Sequence, residues 1–197
     1  MDEFKNAIVI TGGIATGKSE VCKILKNRGF DIIDADEISH EILDNSFKEI
    51  LKNFGENFVD LKTKKIKRKI LGDFVFKNKN KLEILEKILH PKIRFKIYEN
   101  AKNLEKKNRI YFIDIPLFFE KQNYDFKRIL LIYAPKDLQI QRLKARNSLD
   151  FENANLRINS QIDIEKKLNL ANFVIKNLTN LKDLEKKVDE FLKKVEK

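Results

Sequence analysis

The sequence is poor in several things, and each shortage narrows the reading. There is one cysteine, Cys22, in 197 residues. It cannot close an internal disulfide, which suits a reducing compartment. No apolar run approaches the roughly 18 residues that a bilayer span requires. The opening stretch, Met1-Asp2-Glu3-Phe4-Lys5, lacks a signal-peptide pattern. The expectation is a cytoplasmic protein with no membrane partner. Internal repeats and low-complexity linkers are also missing. So are a Gly/Arg tail and the aromatic-basic interleaving of nucleic-acid binders. The net charge of +11 therefore reads as lysines scattered along helix faces among glutamates, not as a nucleic-acid footprint. A basic balance still suits a small polyanionic substrate. With 42% hydrophobic residues, the chain can bury one core, with or without insertions.

Glycine is scarce too, yet of six glycines three fall in one window, Gly12-Gly13-Ile14-Ala15-Thr16-Gly17-Lys18-Ser19. The window matches G-x-x-x-x-G-K-[ST], a phosphate-binding loop. Ala7-Ile8-Val9-Ile10-Thr11 before it is apolar and β-branched, the pattern of a buried strand. After it, Val21, Ile24 and Leu25 recur at helical spacing. Strand, glycine loop and helix form the context in which the motif works. Glycines let backbone N–H groups approach an anion closely. The helix N-terminus adds unpaired donors and partial positive charge. Lys18 can then reach β- and γ-phosphates, and the Ser19 hydroxyl can ligate magnesium.

Gly29 reads as a left-handed cap ending that helix. Phe30 to Asp34 reads as a second parallel strand closing in Asp34-Ala35-Asp36. Carboxylates at the carboxyl end of such a strand stand where α/β sheets place ligands, although either acid can also cap the next helix. Asp36 is the stronger candidate for chemistry. His40 reads as an ordinary polar helix position. From Ser46 to about residue 107 the periodicity is helical, with no strand candidate. Ser46 and Glu49 make a capping box, Gly55 stops the first helix, and Pro91 is placed to start a new one. His90, beside that proline, reads equally well as a packed or a functional residue.

Arg109 to Asp114 is a hydrophobic strand closing in an acid, the pattern whose carboxylate holds magnesium. Ile115 to Glu120 follows, with exposed-end phenylalanines beside a glutamate that suit a ligand wall. Arg128 to Ala134 is the fourth strand, and Pro135 opens a helix on which Gln139, Arg142 and Arg146 share a face. The polar stretch from Asn147 to Lys167 reads as a mobile cover carrying Arg157 and Gln161, its arginines suited to clamping phosphates. Asn172 to Lys176 is the fifth strand, followed by Asn177, a turn, and an amphipathic helix through Leu181, Leu184, Val188, Phe191 and Val195. Together these describe an α/β protein: a P-loop core with a five-stranded parallel sheet, a helical insertion and a helical lid. That is the pattern of a small-molecule P-loop kinase.

The order of Thr11-Gly12-Gly13-Ile14, Ile33-Asp34-Ala35-Asp36, Leu89-His90-Pro91, Asp114-Ile115-Pro116-Leu117-Phe118-Phe119-Glu120, Gln141-Arg142-Leu143 with Arg146, Arg157-Ile158 with Gln161, and Val174-Ile175-Lys176-Asn177 resembles the dephospho-CoA kinases over nearly the whole chain. The resemblance implies ATP-dependent phosphorylation of the 3′-hydroxyl of dephospho-CoA, with magnesium. It implies a nucleotide core over 1–45, 108–146 and 168–197, a CoA-binding insertion over about 46–107 and a lid over about 147–167. It makes Asp36 the catalytic base, aided by Lys18 and Arg142. Gly12, Gly13, Ile14, Ala15, Thr16, Gly17, Lys18, Ser19, Glu20, Arg142, Arg146 and Asn177 would bind ATP. Asp36, His90, Leu117, Phe118 and Glu120 would line the acceptor site, and Ser19 and Asp114 would hold the metal. The protein is expected as a monomer or weak homo-oligomer. Departures are Ala15 for a usual glycine, Glu20 for a usual threonine, Ala171-Asn172 for an Ala-Asp pair, and the absence of the glycine expected after Asn177. A nucleoside or nucleotide kinase of similar architecture is the nearest alternative, and a nucleic-acid-dependent NTPase a more distant one.

Overall fold

The computed structural model describes residues 3–121 and 124–196. Met1 and Asp2, part of the stretch inspected for a signal pattern, lie outside them. The chain forms two compact units, one comprising the segments up to Asp34 and from Ala101 onward, the other Ala35–Asn100.

The first unit is built on β1, Ala7–Gly12, every residue of which is buried. The strand is uniformly apolar because a parallel sheet is covered on both faces. It pairs in parallel with β5, Tyr111–Asp114, on one side and β6, Ile129–Tyr133, on the other. β2, Ile32–Asp34, extends the sheet beyond β5, and β7, Phe173–Lys176, beyond β6. The sheet is five-stranded and parallel, in the order β2-β5-β1-β6-β7, as expected. On one face, Ile8, Ile10, Leu130, Ile132 and Ile175 pack with Val21, Ile24 and Leu25 of α1, Lys18–Asn27, and with Leu184, Val188 and Phe191 of α10, Leu181–Val195. Gly29, at φ +85°, turns the chain out of α1 as its position suggests.

The second unit differs in detail from the sequence reading. It carries α2, Ala35–Asp44, then α3, Phe47–Phe54, a 3₁₀ turn at Glu56–Phe58, and α4, Arg68–Val75. Between α3 and α4 lies an unexpected antiparallel pair, β3 at Val59–Asp60 and β4 at Lys65–Ile66. Two-residue strands are too short to show a period. Ile50, Phe58, Val59, Ile66, Leu71 and Val75 form the core here. The capping box is absent: the Ser46 hydroxyl donates to the Ile42 carbonyl at 2.7 Å, and Glu49 accepts from Lys92 at 2.6 Å. Pro91 does not start a helix either. It lies inside α5, which runs unbroken over Lys79–Glu105.

In the first unit, α6, Phe118–Lys121, follows β5 after a short turn. The polar stretch read as a cover folds as α8, Phe151–Asn159, and α9, Ile164–Leu168, after α7, Lys136–Asn147. Asp150 and Asp163 cap α8 and α9 by accepting from the amides of Asn153 and Glu165. Ile140, Leu143 and Ala154 form a small core between α7 and α8, and Ile14, Ala15 and Ile158 pack against it.

Candidate active site

The glycine loop connects the buried end of β1 to the first turn of α1. At Gly12 a Cβ would stand 2.7 Å from Thr16 Oγ1 and 2.9 Å from the Ile132 carbonyl, so no side chain fits. Gly17 has φ +94°, and a Cβ there would meet the Asn177 amide at 2.2 Å. These positions need glycine for space and for backbone freedom. Ala15 adopts a left-handed conformation, φ +58°, without that freedom. The cost, on the order of 1–2 kcal/mol, is partly offset by packing its methyl against the cluster of α7 and α8.

Lys18 and Asp114 meet at the carboxyl ends of β1 and β5. The ammonium donates to both carboxylate oxygens, at 2.5 and 2.7 Å. Both groups are largely shielded, so the pair is held in a setting of weak screening. Cys22 lies one helical turn on, its sulfur 3.3 Å from Asp114 Oδ2. Burial, reinforced by the neighbouring Asp114 charge, pushes its thiol well above the usual range. Ser19 is exposed on the first turn of α1, whose leading N–H groups have no partner within the helix. Glu20 pairs with Lys23 at 2.8 Å on an exposed face. Its main-chain N–H donates to the Gly17 carbonyl at 3.0 Å.

Arg142 and Asn177 bind the far limb of the loop. The Asn177 side-chain amide donates to the Thr16 carbonyl at 2.9 Å, and Arg142 donates to the Asn177 carbonyl at 3.1 Å. Burial lowers the Arg142 pKa from its ordinary value. Arg146, one turn on, is exposed and donates to Asn147 at 2.9 Å. Gln139 is buried at the near limb, donating to the Ala134 carbonyl at 2.8 Å. Gln161, on the segment between α8 and α9, accepts from the Ile14 amide at 2.8 Å. A cavity of about 240 Å³ lies here, lined by Gly13, Lys136, Gln139, Gln161 and Ile164 among others.

Leu117 is the exposed residue of the Ile115–Glu120 stretch. Phe118 and Phe119, expected as exposed rings, are each only 7% exposed and pack edge to face at 5.5 Å. Their position in α6 directs them inward. Glu120 forms a buried pair with Lys167 at 2.6 Å, a partnership the sequence reading missed because Lys167 looks like one more lysine in a polar stretch. In the second unit, Asp36 and Glu37 stand in the first turn of α2, two and three residues after the end of β2. His90, in α5, is partly exposed and lies 3.9 Å from Glu86. Among the described residues, no three His, Cys, Asp or Glu side chains form a metal-holding group.

A family model described as dephospho-CoA kinase matches residues 6–183. The dephospho-CoA kinase of Helicobacter pylori (strain J99) is 46% identical over 193 residues, covering 96% of this chain and 97% of that one. The solved dephospho-CoA kinase from Campylobacter jejuni is similar at 40% identity, with 97% of each chain covered and a TM-score of 0.74. The solved protein TT1252 from Thermus thermophilus is 30% identical, with coverage of 95% and 96% and a TM-score of 0.80.

Proposed function

The chain belongs to the dephospho-CoA kinase family, which transfers phosphate from ATP to the ribose 3′-hydroxyl of dephospho-CoA in the last step of coenzyme A biosynthesis, and we propose how its residues divide that work. ATP rests its phosphates on the loop from Gly12 to Glu20, on those amides that its internal turns and Gln161 leave open. Lys18 leaves Asp114 and moves to the β- and γ-phosphates. Arg142 and Arg146 supply positive charge from α7, and Asn177 with Arg142 flanks the adenine side of the loop. Transfer is in line, and the donors neutralise charge building on the moving phosphoryl group. Asp36 accepts or orients the proton of the attacking hydroxyl. His90, Leu117, Phe118 and Glu120 shape the acceptor side, with Leu117 offering its exposed apolar surface and Phe118 backing it.

Magnesium fits the donors present. The Ser19 hydroxyl and the Asp114 carboxylate are hard oxygen ligands, and a magnesium ion commonly takes few protein ligands beside substrate phosphates. When bound, the ion neutralises charge on the β- and γ-oxygens. Asp114 accepts from Lys18 through both oxygens and would keep lone pairs to hold the ion. The division into nucleotide core, helical insertion and lid carries over as part of the same reading. So do a cytoplasmic setting, a monomer or weak homo-oligomer, and the absence of a nucleic-acid partner.

The observation that carries the residue assignment is the Lys18–Asp114 pair beside the glycine loop, at the strand ends where α/β proteins bind ligands. Incubating the protein with ATP, magnesium and dephospho-CoA should yield coenzyme A and ADP in equal amounts. Production of ADP without coenzyme A would overturn the acceptor assignment.

A further inference from the structure

Lys167 is a charged side chain with no exposed surface at all. Its ammonium lies 2.6 Å from Glu120 Oε1 and 3.3 Å from the Gly12 carbonyl. Glu120 Oε1 also accepts from the Ile162 amide at 3.2 Å, while its Oε2 is buried with no hydrogen-bond partner among the described residues. Such a pair is a poor source of stability. Desolvation of two ions consumes most of the attraction, and well-packed neutral residues often serve as well or better. What the pair does accomplish is connection. Gly12 ends β1, Glu120 belongs to α6, and Lys167 belongs to α9. The same α8–α9 region supplies Gln161 to the Ile14 amide, and Tyr133 at the end of β6 donates to Glu165 of α9 at 2.6 Å. The near limb of the phosphate loop is thus held from outside by side chains of the lid segment. The Thr16 bonds to the Gly13 carbonyl are internal to the loop and cannot set its place on the sheet.

We propose that Lys167 is a positioning residue for phosphoryl transfer. It fixes the Gly12 carbonyl, and with it the register of the amides that follow. It also holds Glu120, so that α6 and the adjoining Leu117 keep a set distance from the loop. The side chain is enclosed and touches neither substrate; it acts through Gly12 and Glu120. A misplacement of reacting groups by about 1 Å is enough to cost on the order of 10²-fold in rate, so a buried tie at the root of the loop, added to the pairing of Gly12 with Ile132 and the Gln161 bond to Ile14, is an effective place to control it.

The proposal rests on Gly12–Ser19 being the ATP loop, and the test separates the two. Lys167→Met combined with Glu120→Gln removes both charges, so no isolated ion is left in the interior. Steady-state kinetics are measured with ATP and dephospho-CoA varied, alongside the thermal midpoint. The expected result is a folded enzyme whose KM for ATP, which Glu120 does not touch, rises about tenfold and whose kcat falls about tenfold. Lys167→Arg, which keeps a cation and several donors, should hold both KM values within about threefold of the parent. A structural role alone lowers the folded fraction and therefore kcat, but moves neither KM. The proposal is overturned if the double variant folds with the KM for ATP within about twofold of the parent, whatever the KM for dephospho-CoA, or if kcat falls only in step with folded protein. Should the double variant not fold, the neutral Lys167→Gln, Glu120→Gln pair gives the same reading, because the shorter amide cannot span to Gly12. Lys18→Met retaining full turnover would instead refute the loop assignment itself.

Discussion

At the scale of single residues, the Asp114 carboxylate keeps the Lys18 ammonium satisfied in a shielded place beside the glycine loop. Replacing Lys18 by methionine keeps an unbranched side chain one atom shorter and removes the charge. Turnover should fall on the order of 10²-fold or more, by analogy with losing one preorganised oxyanion donor. The effect should appear in kcat for coenzyme A formation with the circular dichroism spectrum unchanged. Asp36→Asn asks a different question, because asparagine keeps the shape and loses the base. A rate lower by about 10²–10⁴-fold, with ATP binding intact by calorimetry, is expected of a general base. Full turnover would remove Asp36 from that role.

At the scale of elements, two departures from the sequence pattern carry consequences. Pro91 sits inside α5, where it cannot donate to the Lys87 carbonyl four residues earlier. Pro91→Ala should therefore raise stability by about 1–3 kcal/mol in denaturant titration. A simultaneous rise in KM for dephospho-CoA would mean that the proline shapes the acceptor side; no gain in stability would mean that local packing already compensates for it. At the β2 edge of the sheet, Asp31, just before β2, accepts from Arg109 at 2.7 Å and Lys107 at 2.9 Å. These bonds, the Arg109 one first, hold its pKa below the ordinary 3.8. The unfolded chain then binds the proton more readily, so the contribution is present above pH 3.8 and is lost as pH falls below it. The pair is partly exposed and worth roughly 0–1 kcal/mol. Acid titration of stability should be shallower below pH 4 in Asp31→Asn, to about that extent.

The same elements show what a sequence can and cannot disclose. The loop, the strand endings at Asp34 and Asp114, and the succession of the five parallel strands are local or periodic features, and all were readable. Pro91 was misread because a proline at a histidine junction is usually a boundary, and only tertiary packing lets a helix run through it. The β3–β4 pair is too short to show alternation. The inward turn of Phe118 and Phe119 follows from α6, a single turn of helix with no period of its own. Lys167 was invisible for a different reason: its partner Glu120 is distant in sequence, and nothing in a polar, lysine-rich stretch marks one lysine as enclosed.

At the scale of the whole molecule, 41 basic residues face 30 acidic ones, and both substrates are polyanions. Two accounts of this surplus differ in what salt should do. If the charge were only a compositional habit, spread over exposed helix faces, its effect on encounter would be slight beyond a Debye length of about 8 Å at physiological ionic strength. If it gathers anions toward the loop, the association step carries the dependence, and chemistry inside the closed site does not. Raising ionic strength from about 50 to 500 mM, with free magnesium held constant, should then lower kcat/KM for ATP by about tenfold and leave kcat at saturation nearly unchanged. Added duplex DNA should not stimulate hydrolysis of ATP, since no phosphate-tracking stripe of aromatic and basic residues is present in the sequence. A flat kcat/KM across that range would assign the surplus to composition, and would leave Lys18 and the α7 arginines to attract the nucleotide alone.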